Sequence, residues 1–282
     1  MSELTSLALG ITRCANTEFR WGERTYIMGI INVTPDSFSG DGLAGNVEAA
    51  LAQAKRFLDE GADILDVGGE STRPGSTLVS TEEELRRVIP VIERLASEVR
   101  LPVSVDTYKL EVARRALAAG ASMLNDVWGL KHDPELAELA AEKGVPIVLM
   151  HNQVGTEYND LVPDVIASLR RSVEVALKAG VPVENVIIDP GIGFGKTKEH
   201  NLEIMKRLSE FRSLGRPILL GTSRKSVIGY VLDVPPGERI EGTAATVAIG
   251  IAKGADMIRV HDVREMARVA RMSDSILRWK PA

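Results

Sequence analysis

Polar and charged side chains recur directly after the short apolar runs of this sequence, and their types and spacing could carry chemistry. They are Asn32; Glu70, Ser71, Thr72 and Arg73; Asp106; Asn125 and Asp126; His151; Asp189; Ser223, Arg224 and Lys225; and Arg259 and His261. Acids and amides follow the third, fourth and sixth runs, whereas cations follow the seventh and eighth. A carboxylate that accepts two parallel N–H bonds suits an amidine-like ring edge, and Arg, Lys and His suit an anion. The pattern therefore predicts a ligand with a pterin or purine ring at one end and phosphate or diphosphate at the other.

Short β-rich apolar runs alternate along the chain with longer stretches of helical period, and these elements must position the polar groups. Apolar residues three and four apart, such as Val47, Leu51 and Ala54, predict helices between the runs. The runs are Tyr26–Ile31, Ala62–Val67, Pro102–Val105, Ser122–Leu124, Pro146–Met150, Val186–Ile188, Pro217–Leu220 and Asp256–Val260. Eight βα units in about 250 residues are typical of a (β/α)₈ barrel.

The sequence therefore predicts an α/β fold, a single-domain (β/α)₈ TIM barrel with an N-terminal strand pair that caps its bottom. Residues 1–25 are expected to form this cap and residues 26–282 the barrel. The alternative is an open doubly wound sheet, but the G-x-G-x-x-G that usually opens such a sheet is absent after the first run. Sites in TIM barrels lie at the C-terminal ends of the strands, which is where the polar groups fall.

The composition of the chain excludes several classes of protein. Its 282 residues carry 34 Lys and Arg against 39 Asp and Glu, a net charge of −5, and 4% are aromatic. A protein that tracks a nucleic-acid backbone needs basic stripes and stacking rings, so no nucleic-acid partner is expected. No apolar run approaches the roughly 18 residues of a membrane span. The single cysteine, Cys14, and the absence of an export signal predict a cytoplasmic protein without membrane contact.

The polar strand ends also have purely structural interpretations. Asp106 could begin the next helix as its N-cap, and Asp126 fits a turn or cap better than a ligand contact. His151 and His261 could be histidines whose hydrogen bonds are satisfied within the protein. Asp189 points more strongly to a site, because the glycines after it allow the backbone to approach a ligand closely.

The glycine-rich stretch 191–197 is not a phosphate-binding P-loop. The pattern G-x-x-x-x-G-K-[ST] would need glycine at the position of Pro190, and the spacing does not fit G-x-G-x-x-G either. We interpret the stretch as a loop at the barrel mouth. Its Phe194 either supports an aromatic substrate or packs on the barrel.

Seven segments of the chain recur in the order found in one enzyme family. They are Met28–Ser39, Asp66–Gly75, Val103–Thr107, Asn125–Val127, Asp189–Lys196, Gly221–Ser226 and Arg259–Val263. Through these segments the chain resembles the bacterial dihydropteroate synthases over nearly its whole length. The resemblance implies a TIM-barrel transferase that joins 6-hydroxymethyl-7,8-dihydropterin diphosphate to p-aminobenzoate in folate synthesis, with Mg²⁺ as cofactor. It also implies a homodimer.

The resemblance assigns roles to individual positions. Pterin binding falls to Asp106, Asn125, Met150, Asp189 and Lys225. Diphosphate binding falls to Asn32, Thr72, Arg73, Arg259 and His261, and Asn32 is also the Mg²⁺ ligand. Pro74, Phe194 and Ser226 frame the p-aminobenzoate pocket, and the catalytic positions are Asp41, Thr72, Arg73 and Lys225. Asp41 departs from the family pattern, because Ser39-Gly40-Asp41-Gly42 places the acid one residue later than Ser-Asp-Gly-Gly.

Three other functions stay open on the sequence. A paralogue could keep the pterin pocket and lack synthase activity, for which the shifted Asp41 is the only support. A relative could present methyltetrahydrofolate to a corrinoid partner, although the cations after the last two runs would then be surplus. A Schiff-base aldolase could use Lys225, but the neighbouring Arg224 and Arg259 favour a lysine that acts as a charged donor.

Overall fold

Eight parallel strands form the centre of the molecule in a computed structural model that describes residues 9–34, 46–70 and 78–279. The strands are β1 (Ile11–Cys14), β2 (Thr17–Arg20), β3 (Tyr26–Asn32), β4 (Ile64–Gly68), β5 (Val103–Asp106), β6 (Met123–Asp126), β7 (Ile147–Met150), β8 (Val186–Asp189), β9 (Leu219–Leu220) and β10 (Met257–Val260). The helices are α1 (Val47–Glu60), α2 (Thr81–Glu98), α3 (Leu110–Ala118), α4 (Glu135–Lys143), α5 (Leu161–Lys178), α6 (Lys198–Lys206), α7 (Ser226–Leu232), α8 (Ile240–Ala252) and α9 (Val263–Leu277). Short 3₁₀ helices lie at Val183–Asn185, Leu208–Leu214 and Pro236–Glu238.

Strands β3 to β10 form one parallel sheet in the order β8-β7-β6-β5-β4-β3-β10-β9. A parallel bridge between Ile188 in β8 and Ile218 beside β9 joins the two edges of this sheet. Helices alternate with the strands along the chain. The predicted (β/α)₈ barrel is therefore confirmed, and the open doubly wound sheet is excluded.

Each of the eight predicted runs corresponds to one barrel strand, with ends shifted by a residue or two. Asn32, Asp106 and Asp189 are the last residues of their strands, whereas the sequence placed them just after the strands. Their backbones are thus held in the strand ladder, which orients the side chains more firmly than a loop does. The seventh run gives the two-residue β9, preceded by Ile218, which forms a parallel bridge with Ile188.

Side chains along each barrel strand alternate between two environments, as period 2 requires. Ile31, Val67 and Leu149 belong to the main apolar core between the strands and the surrounding helices. The lowest layer of the opposite parity is also apolar and contains Met28, Ile64, Met123, Val148, Ile187, Leu219 and Met257. Higher up, the same parity carries Asp66, Asp106, Asn125, Asp189 and Arg259. The barrel interior therefore changes from apolar to polar toward the C-terminal ends of the strands.

The antiparallel pair β1–β2 covers the apolar lower end of the barrel. Phe19 is fully buried there, stacks on Trp21 with ring centroids 5.5 Å apart, and meets Tyr26 edge-on at 5.0 Å. The Cys14 thiol donates to the carbonyl oxygen of Ser122, just before β6, at 3.2 Å. These contacts confirm the predicted strand pair at the bottom of the barrel.

Glycines with positive φ follow several helices. Gly61 follows α1 with φ 99°, and its N–H donates to the carbonyl oxygens of Leu58 and Phe57. Gly254 takes φ 102° between α8 and β10. In the described part of the chain, no helix has both the length and the apolar character needed to span a membrane.

Candidate active site

The strand register brings three of the predicted site residues to one level at the C-terminal end of the barrel. Asn32 pairs with Gly68, Gly68 with Asp106, and Asp106 with Asn125 across β3, β4, β5 and β6. Since alternate residues of a strand point the same way, Asn32, Asp106 and Asn125 share the inward parity of the layers below them. Gly68 contributes no side chain, and the space beside it lies next to the Asp106 carboxylate.

A hydrogen-bonded network of charged groups links Arg259 and Asp106, near the ends of their strands, to Asp66, which lies deeper in the barrel. Arg259 donates through Nε to Asp66 Oδ2 at 2.6 Å and through Nη2 to Asp106 Oδ2 at 2.8 Å. The Asn125 amide Nδ2 donates to the same oxygen of Asp66 at 3.0 Å. The remaining carboxylate oxygens, Asp66 Oδ1 and Asp106 Oδ1, are buried and have no hydrogen-bond partner among the described residues. A buried oxygen without a donor is costly, so these atoms would gain from the N–H groups of a ligand.

Burial changes the protonation of the two aspartates at the strand ends. It raises the pKa of Asp106 to about 7, although the Arg259 charge opposes the rise. It raises the pKa of Asp189 to about 6 against the Gly191 N–H and the charge of Lys225. Burial lowers the pKa of Arg259, but the carboxylates of Asp66 and Asp106 outweigh it and the net shift is upward. Buried acids with raised pKa values beside a permanent cation are typical of functional sites.

The glycine loop after β8, residues 191–195, brings further predicted residues to this end of the barrel. Asp189 Oδ1 accepts the backbone N–H of Gly191 at 2.7 Å. The Lys225 ammonium lies over the Phe194 ring, 4.1 Å from Nζ to the ring centroid, which is a cation–π contact. Asp189 also interacts electrostatically with both Lys225 and Arg259. Asp106, Asp189, Lys225 and Arg259 therefore share one region.

An apolar cluster lies beside these charges. It contains the buried side chains of Tyr108, Val127 and Met150, with Trp128 and Phe194 packed against them. Met150 follows the register of β7, where it pairs with the last residue of β8. The cluster offers a flat, aromatic surface next to carboxylates and a lysine, which suits a heteroaromatic ring.

Two polar strand-end residues serve the fold, as their structural interpretations expected. His151 Nδ1 is hydrogen-bonded to Lys196 Nζ at 2.9 Å, and burial together with that lysine lowers the pKa of His151 to about 2. The ring is therefore neutral at physiological pH. Asp126 has the outward parity and accepts the backbone N–H groups of Trp128 at 2.8 Å and Leu130 at 2.6 Å, so it is a turn residue.

Cations after β9 and β10 have partners within the chain. Arg224 donates through Nε and Nη2 to the two carboxylate oxygens of Asp262, at 3.0 and 2.5 Å. Arg224 therefore has an anionic partner within the chain. The Ser223 hydroxyl hydrogen-bonds His261 Nδ1 at 2.9 Å and accepts the His261 backbone N–H at 3.2 Å, which fixes the imidazole at the end of β10.

Some predicted residues are not joined to this network. Ser226 is the exposed first residue of α7, directly after Lys225. Asp41, Thr72, Arg73 and Pro74 lie outside the described residues. The predicted separation of acids from cations also does not extend to Arg259, whose guanidinium contacts two carboxylates.

Sequence reasoning assigned no role to Asp66 or Lys196, although both stand in recurring segments. Asp66 interrupts the otherwise apolar strand β4 and shares its parity with Gly68, a pattern that could have identified it as an inward-facing acid. Lys196 is only 9% exposed. No sequence pattern distinguishes this lysine from an exposed one, because its burial depends on the loop around it.

The described residues contain no cluster of three or more His, Cys, Asp or Glu side chains that could hold a metal ion. Asn32 offers one amide oxygen at the end of β3. Mg²⁺ prefers oxygen ligands and is often bound by one or two protein groups together with waters and substrate phosphates. The donor set therefore fits a Mg²⁺ ion that arrives with a diphosphate.

The sequence matches the family described as "Pterin binding enzyme" over residues 28–261, a span that reaches from β3 to His261. The chain belongs to this family. The dihydropteroate synthase of Bacillus subtilis is 57% identical over 255 residues, covering 90% of each chain. That of Clostridium beijerinckii is 54% identical over 267 residues, covering 94% of this chain and 99% of the relative.

Solved structures give the same result. A dihydropteroate synthase from Clostridium difficile, crystallised in the presence of pteroic acid, superposes with a TM-score of 0.88 at 52% identity, over 92% of this chain and 99% of its own. The enzyme from Xanthomonas albilineans with 4-aminobenzoic acid gives 0.89 at 44% identity, over 96% and 99%. The resemblance to bacterial dihydropteroate synthases is thereby confirmed.

Proposed function

We propose that this site joins 6-hydroxymethyl-7,8-dihydropterin diphosphate to p-aminobenzoate and forms 7,8-dihydropteroate and diphosphate. The observation that carries the proposal is the set of buried acceptors at one end of the barrel. Within the described ranges Asp106 Oδ1 has no hydrogen-bond partner, and Asp189 interacts electrostatically with Lys225 and Arg259. The relatives named dihydropteroate synthase, at 57% and 54% identity over nearly the whole chain, support the same reaction. The activity is that of a transferase.

The pterin ring is held through its N–H groups. Asp106 and Asp189 accept these donors, and Asn125 adds its amide oxygen because its Nδ2 already donates to Asp66. Lys225 donates to acceptor atoms of the ring. Ionised carboxylates make stronger hydrogen bonds than neutral acceptors, so donor-rich heterocycles are favoured over isosteres without those N–H groups.

The diphosphate lies toward the strand ends that carry Arg259 and His261. Two residues apart at the end of β10, they share the inward parity. Mg²⁺ held on the diphosphate with the help of Asn32 would neutralise negative charge on the leaving group. Arg259 serves both ends of the ligand, since its guanidinium already contacts Asp106. Thr72 and Arg73 are proposed to complete this anion pocket.

The reaction is a substitution at the exocyclic methylene carbon of the pterin. The C–O bond to diphosphate breaks and its electron pair leaves with the diphosphate, which places positive charge on the methylene and the ring. The Asp106 and Asp189 carboxylates oppose that charge, and Arg259 and His261 stabilise the departing anion. The amine nitrogen of p-aminobenzoate then forms the C–N bond and releases a proton. An aniline nitrogen is a weak base, so the step needs no strong general base.

p-Aminobenzoate is proposed to lie beside Phe194 and Ser226, with Pro74 completing the pocket. Phe194 is held under the Lys225 ammonium and against the Met150 cluster, and its ring can therefore stack on an aromatic acid. Asp41 is proposed as the acid of the first loop, where it helps exclude water from the reactive methylene.

Titration calorimetry with the pterin diphosphate, with and without Mg²⁺, tests the pocket, and addition of p-aminobenzoate tests turnover. We expect binding that Mg²⁺ strengthens and formation of dihydropteroate. Asp106→Asn should weaken pterin binding, whereas Asp126→Asn, at a turn residue of similar burial, serves as the matched control. Pterin binding without any product would favour the inactive paralogue, and failure to bind the pterin would contradict the proposal.

We also propose that the protein is a homodimer that buries an apolar face of α7, α8 and α9. The outer side of α8 begins with the exposed Glu241 and continues with the exposed Ala245, Ile249 and Ala252, of which Ile249 is 50% exposed. Tyr230 on α7 and Met272 on α9 add exposed apolar surface. Large exposed apolar patches mark protein interfaces, so we expect these side chains to be covered in the dimer. Light scattering should give twice the chain mass, and Ile249→Glu should halve it, whereas Val183→Glu at another exposed apolar site should not.

A further inference from the structure

Lys196 is a buried lysine whose three hydrogen bonds join the two ends of the glycine loop to the end of β7. Its Nζ donates to the carbonyl oxygen of Gly191 at 3.0 Å and to that of Phe194 at 2.9 Å. The third partner is His151 Nδ1 at 2.9 Å. A lysine whose three N–H groups all donate inside the protein fixes the backbone around it, because a buried carbonyl oxygen without a hydrogen-bond donor destabilises the folded state.

The glycine loop packs so closely against the residues after β7 that its position has little freedom. A Cβ at Gly191 would lie 1.9 Å from the His151 carbonyl oxygen, and one at Gly195 would lie 2.6 Å from that of Gln153. Both glycines have positive φ, 73° and 55°. The Tyr158 hydroxyl donates to the Gly195 carbonyl oxygen at 2.6 Å. The loop thus packs against the end of β7, and the buried Lys196 holds it there through hydrogen bonds.

Two groups of the proposed pocket depend on where this loop lies. The Gly191 N–H orients the Asp189 carboxylate, at 2.7 Å, and the Phe194 ring lies under the Lys225 ammonium. The position of a Cβ on Gly193 is 3.2 Å from Lys225 Cδ, so the loop also borders the stem of that side chain. A shift of the loop would therefore move a carboxylate donor, an aromatic surface and a cation together.

We propose that Lys196 is a positioning residue, which holds the loop 191–195 against His151 and thereby fixes Asp189 and Phe194 for substrate binding. The inference rests on the proposed function for the identity of the substrate but not for the role of the lysine in the loop. His151 contributes as a neutral acceptor, with its ring proton on Nε2 because Nδ1 faces a donor.

The charge of the lysine depends on groups from every element packed around it. Burial lowers the pKa of Lys196 to about 7; Asp189 opposes this, and Lys131 and Lys225 reinforce it. His151 stays neutral throughout this range. Below about pH 7 the ammonium serves all three acceptors. Above it the neutral amine has two N–H groups, one acceptor loses its donor, and the loop is held less firmly.

Amide exchange in the full-length protein without ligand tests this role. The Phe194 and Gly193 N–H groups are hydrogen-bonded, to Gly191 O at 3.2 Å and to Asn201 Oδ1 at 2.7 Å. We expect their protection factors to fall roughly tenfold between pH 6 and pH 9 in the parent chain. Lys196→Met should show the low protection at every pH, whereas Lys198→Met, which removes an exposed charge two residues away, should behave as the parent.

Substrate binding gives the second readout. Lys196→Met should raise the Kd for the pterin diphosphate about tenfold or more, and Lys198→Met should leave it unchanged. Equal protection and equal Kd in Lys196→Met and the parent chain would overturn the proposal. If Lys196→Met does not fold, Lys196→Gln, which keeps two N–H donors, is measured in its place, and parent-like protection and Kd in that variant count against the lysine. If the parent chain fails to bind the pterin, the proposed function is contradicted. The amide-exchange data, measured without ligand, still test whether Lys196 positions the loop.

Discussion

The two ends of the barrel are built on opposite principles. At the N-terminal end, Phe19, Trp21 and Tyr26 close over an apolar layer, and the polar atoms beside them are paired, as in the hydrogen bond from Trp21 Nε1 to Thr12 Oγ1 at 2.8 Å. At the C-terminal end, the same inward parity holds Asp66 and Asp106, each with a buried oxygen that finds no hydrogen-bond donor in the part of the chain that the structure describes. The lower end maximises apolar burial, whereas the upper end keeps acceptors unsatisfied.

The difference shows which end of the barrel stabilises the fold and which end provides groups for ligand binding. A closed aromatic layer stabilises the fold, because burial of large rings removes much apolar surface from water. Buried acids with raised pKa values destabilise the free protein and are relieved when a ligand supplies donors. Substitutions at the two ends should therefore have opposite effects on stability and on affinity.

The largest effect on stability is expected for Phe19→Ala at the lower end. Removal of this fully buried ring should lower the free energy of unfolding by about 3–5 kcal/mol. The Kd for the pterin diphosphate should stay within twofold of the parent value. Urea unfolding and calorimetry give the two quantities. A variant of unchanged stability would show that the strand pair contributes little to the barrel.

Asp189→Asn should have the reverse profile. Loss of a charged acceptor at the pterin should weaken binding by about 100-fold, or roughly 2.7 kcal/mol. The free energy of unfolding should be unchanged or higher, because the substitution removes a buried carboxylate whose ionisation is disfavoured. The same two measurements apply. Marked destabilisation with full affinity would make Asp189 a residue of the fold.

The pH dependence of pterin binding should arise at the C-terminal end, where each titrating carboxylate can change the affinity by at most about tenfold per pH unit. Asp106 and Asp189 have folded-state pKa values of about 7 and about 6, above the value of 3.8 for an unperturbed Asp. Between about pH 4 and 7 the folded protein holds protons that the unfolded chain has released, so these groups make stability fall as pH rises. Pterin affinity should rise over the same range, because N–H donors favour the ionised carboxylates. Calorimetric binding from pH 5 to 8, with Asp106→Asn for comparison, checks the direction.

The smallest effect is expected for Glu18→Gln on the exposed side of the strand pair. Glu18 pairs with Arg13 at 3.2 Å and with Arg20 at 2.5 Å, but both arginines are largely exposed. Water and salt screen such pairs, so the urea midpoint and the pterin Kd should not change measurably. A clear shift in either would mean that the surface of the strand pair matters as well as its buried aromatic layer.

Much of the fold was accessible from the sequence, because hydrophobic periodicity follows directly from burial. The eight runs matched eight strands, with ends shifted by a residue or two. The errors at the strand ends were a single residue at Asn32, Asp106 and Asp189. Polar residues interrupt an apolar run without interrupting the hydrogen-bond ladder, so composition alone ends the strand too early.

The candidate site was accessible to a lesser degree. The inward parity of Asp106 and Asn125 follows from their places on strands, but the partners of Arg224 and Arg259 do not. Arg224 meets Asp262 and Arg259 meets Asp66, contacts that span 38 and 193 residues of the chain. Whether a cation faces a ligand or a carboxylate of its own chain depends on which strand ends become neighbours.

The sequence by itself determined the alternation of strands and helices, the strand pair at the lower end and the series of polar residues at or just after the strand ends. Periodicity and local propensity act over a few residues, and the order of residues records them directly. Only the tertiary structure decided which of those groups are satisfied. The hydrogen bond between Lys196 and His151 and the burial of the Asp66 and Asp106 oxygens both depend on segments that are distant in sequence and packed together in the fold. In the low-dielectric interior of a protein, whether such polar groups are hydrogen-bonded has a large effect on free energy.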